Sequence, residues 1–201
     1  MSAMRKFSYG LFVLSAKAGD KDGGCIINTA MQVTTNPVQV SMCLNKDNYT
    51  HELIMNSKEF NVSFLSEDVP FSVFQRFGFQ SGRDVDKFAD FADCARAENG
   101  VMYLTKYANA AISVKVNKTV DLGTHTMFIG QVSEEKELSS LPSVTYQYYF
   151  DHIKPKPETA ETPKKGWVCK ICGYVYEGEE LPPDFICPIC KHGAEDFEPI
   201  G

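Results

Sequence analysis

The sequence predicts a mainly β protein with a few short helices, followed by a small cysteine-rich metal-binding unit. Three observations carry this. Short runs of β-branched and aromatic residues, separated by turn chemistry, fill the first 150 positions. A proline- and charge-rich stretch, HIKPKPETAETPKK, comes next and has no large apolar residue after Ile153. The remainder holds two Cys-x-x-Cys pairs, Cys169/Cys172 and Cys187/Cys190. The predicted boundaries are residues 1–151, a linker over 152–165 and a unit over 166–201.

Taken in order, FSYGLFVLSA reads as a strand and AGDKDGG as a turn. CIINTAMQVTT and VQVSMCLN read as strands around the turn at Asn36-Pro37. In the second, Val38, Val40, Met42 and Leu44 alternate with Gln39, Ser41 and Cys43. NYTHELIMNS changes to helical spacing, with Asn48 or Thr50 as N-cap. FNVSFLS returns to a strand, and VPFSVFQRFG and RDVDKFADF read as short helices around a loop. After a turn at Asn99-Gly100 come the strands VMYLTK, NAAISVKVNKTVDLG, HTMFIGQVSE and VTYQYYF. Many short strands with one or two helices predict a barrel with helical insertions.

Composition excludes several classes. A net charge of −6 does not suit a chain that coats nucleic acid or an anionic membrane. Residues 166–201 hold seven acids against Lys170 and Lys191, so the acidic character belongs almost wholly to that unit. No apolar run approaches the roughly 18 residues of a membrane span, and the short apolar run near the N-terminus, broken by Gly10, reads as a strand rather than a secretory leader. Seven cysteines, an odd number, are no disulfide framework. They read as one metal site plus three ordinary thiols, Cys25, Cys43 and Cys94, in a reducing, cytoplasmic compartment.

Two thiolates two residues apart bind one ion from a tight turn, and two such turns complete a tetrahedron around a thiophilic cation. The spacing fits zinc as well as iron. The flanking residues favour iron: Gly173 and Pro188 suit turns that aim N–H groups at sulfur, and Trp167, Tyr174, Tyr176, Phe185 and Phe197 supply an aromatic shell against water. WVCKICGYVY, then PxxFxCPIC, then FEP, resembles rubredoxin, with only 14 residues between the pairs as in the abbreviated domain of rubrerythrins. The resemblance implies one iron held by Cys169, Cys172, Cys187 and Cys190.

The first 150 residues contain neither GxGxxG nor a P-loop, so a Rossmann or Walker site has no support. DGGCIINTAMQVTTNP, NKDNYTHELI, SGRDVDKF and VDLGTHTMFIGQV together resemble the flavin reductase-like family, which implies an FMN-binding split β-barrel that pairs as a homodimer. Asn28, Thr29, Ala30 and Gln32 are small or polar enough to approach a flavin ring. Asn45, Lys46, Asn48 and Thr50 sit where a strand enters a helix, a natural phosphate seat. Ser81, Gly82, Arg83 and Lys87 offer a second donor cluster. His125, in GTHT, stands where the family carries a Gly-Asp-His motif beside the nicotinamide, although Thr124 occupies the aspartate place.

The two resemblances together imply an oxidoreductase passing electrons from NAD(P)H through FMN to a rubredoxin-type iron. From there they reach a redox protein such as a flavodiiron oxygen or nitric oxide reductase, as in high-molecular-weight rubredoxins. The alternatives are a reductase releasing reduced flavin, or a non-enzymatic flavin-binding barrel with a structural zinc ribbon.

Overall fold

The structure is a computed structural model, and it describes residues 6–155, 166–171, 173–188 and 192–200. A seven-stranded antiparallel sheet dominates the first unit. Its strands are β1 (Phe12–Ala18), β2 (Lys21–Ile27), β3 (Met31–Thr35), β4 (Val38–Asn45), β5 (Glu59–Leu65), β8 (Ala108–Asp121) and β9 (His125–Glu137). Their order is β2-β1-β5-β8-β9-β4-β3. β6 (Cys94–Arg96) and β7 (Met102–Leu104) form a separate hairpin.

Both faces of the central strands are covered, which explains why β1 is an almost unbroken apolar run. Phe12, Leu14 and Ala16 enter one core with Phe60, Val62, Val114 and Phe128. Leu11 and Val13 enter a second core with Phe74, Phe77, Leu104 and Tyr149. α1 (Tyr49–Ser57) closes the first core through Leu53 and Ile54. It lies so close to β2 that a Cβ on Gly23 would sit 2.5 Å from the Leu53 side chain. α2 (Phe71–Gly78) contributes Val73, Phe74 and Phe77 to the second.

Several expected elements differ. CIINTAMQVTT is two strands, because the chain breaks at Asn28–Ala30, where the Thr29 hydroxyl takes the Cys43 backbone as partner. Most of AGDKDGG lies within β2, and the reversal is confined to Gly19-Asp20, where Gly19 adopts φ +58°. RDVDKFADF is a series of turns rather than a helix: the Asp86 carboxylate accepts from the Phe88 and Ala89 amides, and Asp90 adopts φ +55°. VTYQYYF is helical, not extended. The Thr145 hydroxyl caps α3 (Tyr146–Tyr148) by accepting from the Tyr148 amide, and a π-helix (Tyr149–Ile153) follows. The first unit therefore remains ordered through His152 and Ile153, inside the stretch expected to be linker. Residues 156–165 lie outside the described residues.

The C-terminal unit is a three-stranded sheet, β11-β10-β12, from β10 (Gly166–Cys169), β11 (Val175–Tyr176) and β12 (Phe197–Ile200). Gly166 pairs with Ile200, so the unit begins and ends on adjacent strands. Its core is Cys169, Cys187 and Phe197, ringed by Trp167, Tyr174, Tyr176 and Phe185. Among the described residues no helix is long and apolar enough to cross a membrane.

Candidate flavin and metal sites

The expected barrel residues converge around the start of α1. β4 and β9 pair so that Asn45 faces His125 and Leu44 faces Thr126, and the Lys46 amide donates to the Thr124 carbonyl at 3.0 Å. The residues expected to seat the phosphate and the histidine expected beside the nicotinamide are therefore neighbours across one ladder. Lys46 Nζ lies 2.7 Å from Asp121 Oδ1, and that bond and the Gly123 amide hold the Asp121 carboxyl below the usual range. The Thr124 hydroxyl is 2.9 Å from His125 Nδ1, which fixes the ring of this half-buried histidine.

The other two groups lie to either side, Thr29 beside Cys43 with Gln32 farther along β4 opposite Val40, and Ser81–Arg83 on α1. Thr29 donates to the Cys43 carbonyl at 2.7 Å, and Cys43 pairs with Met127 on β9. Asn28 and Ala30 are half-buried beside it, Ala30 packing on the first core. Gln32 is exposed on β3, with Nε2 donating to the Thr34 carbonyl at 3.1 Å. The Ser81–Arg83 segment lies on α1. Gly82 is close enough to Tyr49 that a Cβ would stand 2.9 Å from its ring, and Arg83 lies over that ring at 5.3 Å while pairing with Glu52 at 2.9 Å. The Ser81 hydroxyl accepts from the Arg83 amide.

Some expected roles conflict with this placement. The amides of α1's first turn are largely spent inside the cap: Thr50 donates to Asn48 Oδ1 at 2.9 Å and His51 to the Asn48 carbonyl at 3.0 Å. An anion here would be met by side chains more than by helix amides. Thr50 is buried, its hydroxyl turned toward Gly23 and Cys25 rather than outward. Lys87 is 5% exposed, and its ammonium donates to the carbonyls of Gly24 at 2.9 Å and Phe77 at 3.0 Å. Burial lowers its pKa, with the Cys25 thiol opposing that shift, and burial raises the Cys25 pKa. Thr50 and Lys87 are thus inward-facing groups beneath the site, not donors at its surface.

His51, which the sequence offers only as a support of the turn after Thr50, is in the structure also a linking residue. Its Nε2 is 2.8 Å from the Thr126 hydroxyl and its ring packs on Phe128 at 5.4 Å, joining α1 to the start of β9. Burial, then Lys46 and Lys58, lower its pKa. The one available signal was its place directly after Thr50 at the helix start.

In the C-terminal unit Cys169 and Cys187 are 1% and 0% exposed within the aromatic shell. Cys172 and Cys190 lie outside the described residues. The first knuckle turns tightly: the Gly173 amide donates to the Cys169 carbonyl and the Cys169 amide to the Tyr174 carbonyl, both at 2.8 Å, with Gly173 at φ +81°. The Cys187 amide donates to the His192 carbonyl at 2.8 Å. Two buried sulfurs from two turns in a dry aromatic setting suit a thiophilic ion, iron as the flanking residues imply.

A β-sheet unit carrying a cluster of polar residues, followed by a small unit with two buried cysteines in an aromatic shell, has the make-up of a two-part redox protein. The chain belongs to the flavin reductase like domain family, whose model matches residues 4–156, and residues 167–198 match the rubrerythrin, rubredoxin-like domain. It is similar to a high molecular weight rubredoxin from Moorella thermoacetica, 36% identical with 98% of both chains covered. It is also similar to a ferric-chelate reductase (NAD(P)H) from Archaeoglobus fulgidus, 36% identical over 81% of this chain and 94% of that one. The NADH:FAD oxidoreductase SgcE6 of Streptomyces globisporus shares the fold, with a TM-score of 0.62, 23% identity, and 69% of this chain and 81% of that one covered. The chain is therefore an oxidoreductase whose cofactors are a flavin and a rubredoxin-type iron.

Proposed function

We propose that this chain takes hydride from NAD(P)H at the barrel and delivers electrons, by way of FMN and a Fe(Cys)4 centre, to a protein acceptor such as a flavodiiron oxygen or nitric oxide reductase. The observation that carries this reading is the presence, in one chain, of a convergent polar site in a flavin reductase-type barrel and a buried thiolate pair in a rubredoxin-like unit. The flavin supplies the conversion between two-electron and one-electron chemistry.

The chain's own residues do the rest. Lys46 and Arg83, partly exposed on either side of the α1 start, attract the flavin phosphate, and Asn45 and Ser81 add polar contacts. Asn48, Thr50 and Lys87 hold the turn beneath. Asn28, Thr29, Ala30 and Gln32 line the approach to the ring, with Thr29 bracing the break between β2 and β3 against β4. His125, fixed by Thr124, borders the nicotinamide. Cys169, Cys172, Cys187 and Cys190 hold the iron, and the acidic C-terminal unit steers it toward a basic partner.

A homodimer is part of the reading. β3 ends the sheet and is exposed along its whole length, with Met31 at 63% and Val33 at 45%, a surface that a second copy would cover. A metal held by thiolates, with Cys25, Cys43 and Cys94 as further thiols, suits a reducing cytoplasm.

Stopped-flow mixing of NADH, then NADPH, with the oxidised protein tests the relay. Bleaching of the flavin followed by bleaching of the iron is expected, and flavin reduction without later iron reduction overturns it. A second reading has its own support: the ferric-chelate reductase matches the barrel over 94% of its length. On that reading the barrel alone serves a small acceptor, and a Cys187→Ser variant would deliver electrons to the final acceptor undiminished.

A further inference from the structure

We propose that the C-terminal unit docks on the aromatic face of the helical turn at Tyr146–Ile153, with Lys154 as its latch. The turn carries a continuous array of rings. Phe79 meets Phe71 at 5.8 Å, Phe71 stacks on Tyr149 at 6.5 Å, and Phe150 meets Tyr149 at 5.4 Å and Tyr146 at 5.0 Å. Phe7 and Tyr9 extend the array from the other terminus. One end is anchored, with Tyr149 and Phe74 buried in the second core. The other is open: Phe7 is 59% exposed, Tyr146 38% and Phe150 37%. Three large aromatic side chains, Phe7, Tyr146 and Phe150, are exposed together where the chain leaves the barrel and form an apolar surface.

The occupant is this chain's own metal unit. Lys154, the residue after the π-helix, stands over the Phe150 ring at 5.2 Å and donates from Nζ to the Lys170 carbonyl. Lys170 lies within the first cysteine knuckle. It is held there by its amide bond to the Asp196 carbonyl at 2.8 Å and its Nζ bond to the Glu195 carbonyl at 2.9 Å. The latch therefore grips a well-braced part of the unit rather than a loose end. At the other knuckle Ile186 is 61% exposed beside fully buried Cys187, an apolar side chain suited to an aromatic seat. Lys154 sets one cation against the acidic unit, with the exposed Asp151 carboxylate on the same turn held by Gln147 at 3.0 Å. The tether from Lys154 to Gly166 keeps the unit near at an effective concentration of order millimolar.

Docking here has a functional consequence that rests on the proposed relay. The ring array ends at Phe79, which directly precedes the segment bearing Ser81, Gly82 and Arg83. The docked knuckle is thereby tied through packed side chains to one wall of the flavin site.

Small-angle scattering and hydrogen exchange on the full holoprotein test the docking apart from the relay. The wild type is expected to be compact at all protein concentrations, and Lys154→Met and Phe150→Ser to raise its radius of gyration, while Lys154→Arg keeps it compact. Ile186→Ser, made on the other partner, is expected to lower amide protection over residues 146–153 by about tenfold. An extended wild type, unchanged scattering in both disruptive variants, or compaction that vanishes on dilution (a second copy covering the patch) overturns the proposal. Compact protein whose iron is not reduced overturns the relay and leaves the docking intact.

Discussion

Lys87 and His51 show how single side chains in the barrel divide between support and contact. The buried Lys87 ammonium donates to the carbonyls of Gly24 and Phe77, so removing it takes a partner from both. Lys87→Met is expected to destabilise the protein by roughly 1–3 kcal/mol, read as a lower denaturant midpoint. An unchanged midpoint with weakened flavin binding would return Lys87 to the phosphate. For His51 the sign follows from its lowered pKa. The folded state takes a proton less readily than the unfolded chain, whose histidine titrates near ~6.5, so stability falls as pH drops through that value. Thermal melts at pH values on either side should show a larger acid-induced loss in the wild type than in His51→Gln. Equal losses would rule this out.

At the scale of elements, local chemistry was legible where the backbone obeyed it. The α1 start was readable because Asn48 is a strong cap followed by apolar residues at helical spacing, and the side-chain oxygen does cap the Thr50 amide. Asn48→Ala is expected to cost about 1 kcal/mol by chemical denaturation, with Asn48→Asp largely preserving stability. β8 and β9 were readable as two strands, and the structure pairs them as one long hairpin. Its tight crossing was not readable: a Cβ on Gly130 would lie 2.6 Å from the Lys115 carbonyl and 2.5 Å from Val114. Gly130→Ala should therefore destabilise by roughly 1–3 kcal/mol, measured the same way. Where the reading failed, side chains had displaced the backbone's own preference. Asp86 captures two amides and ends a helical pattern, and Thr145 caps a run of aromatics that alternation alone reads as strand. In the same way Thr50 and Lys87 have the chemistry of ligands, but only the packing reveals that they face inward.

For the whole molecule, the division into a large barrel and a small acidic unit followed from composition and cysteine spacing. The fold around the metal was legible because its ligands and aromatic shell are adjacent in sequence. The candidate flavin site was harder to read because the residues proposed for it come from four separate segments joined by strand register and by α1. The separateness of the two sites makes an expectation of its own. Cys187→Ser should abolish iron loading and its visible absorbance while flavin content and flavin reduction by NAD(P)H persist. Loss of both cofactors together would show that the units fold as one.

The pairing of Gly166 with Ile200 gives the C-terminal unit a single seam. Entrance and exit lie side by side, so the unit can be spliced to a host at either end, or opened and rejoined elsewhere, without rethreading its sheet.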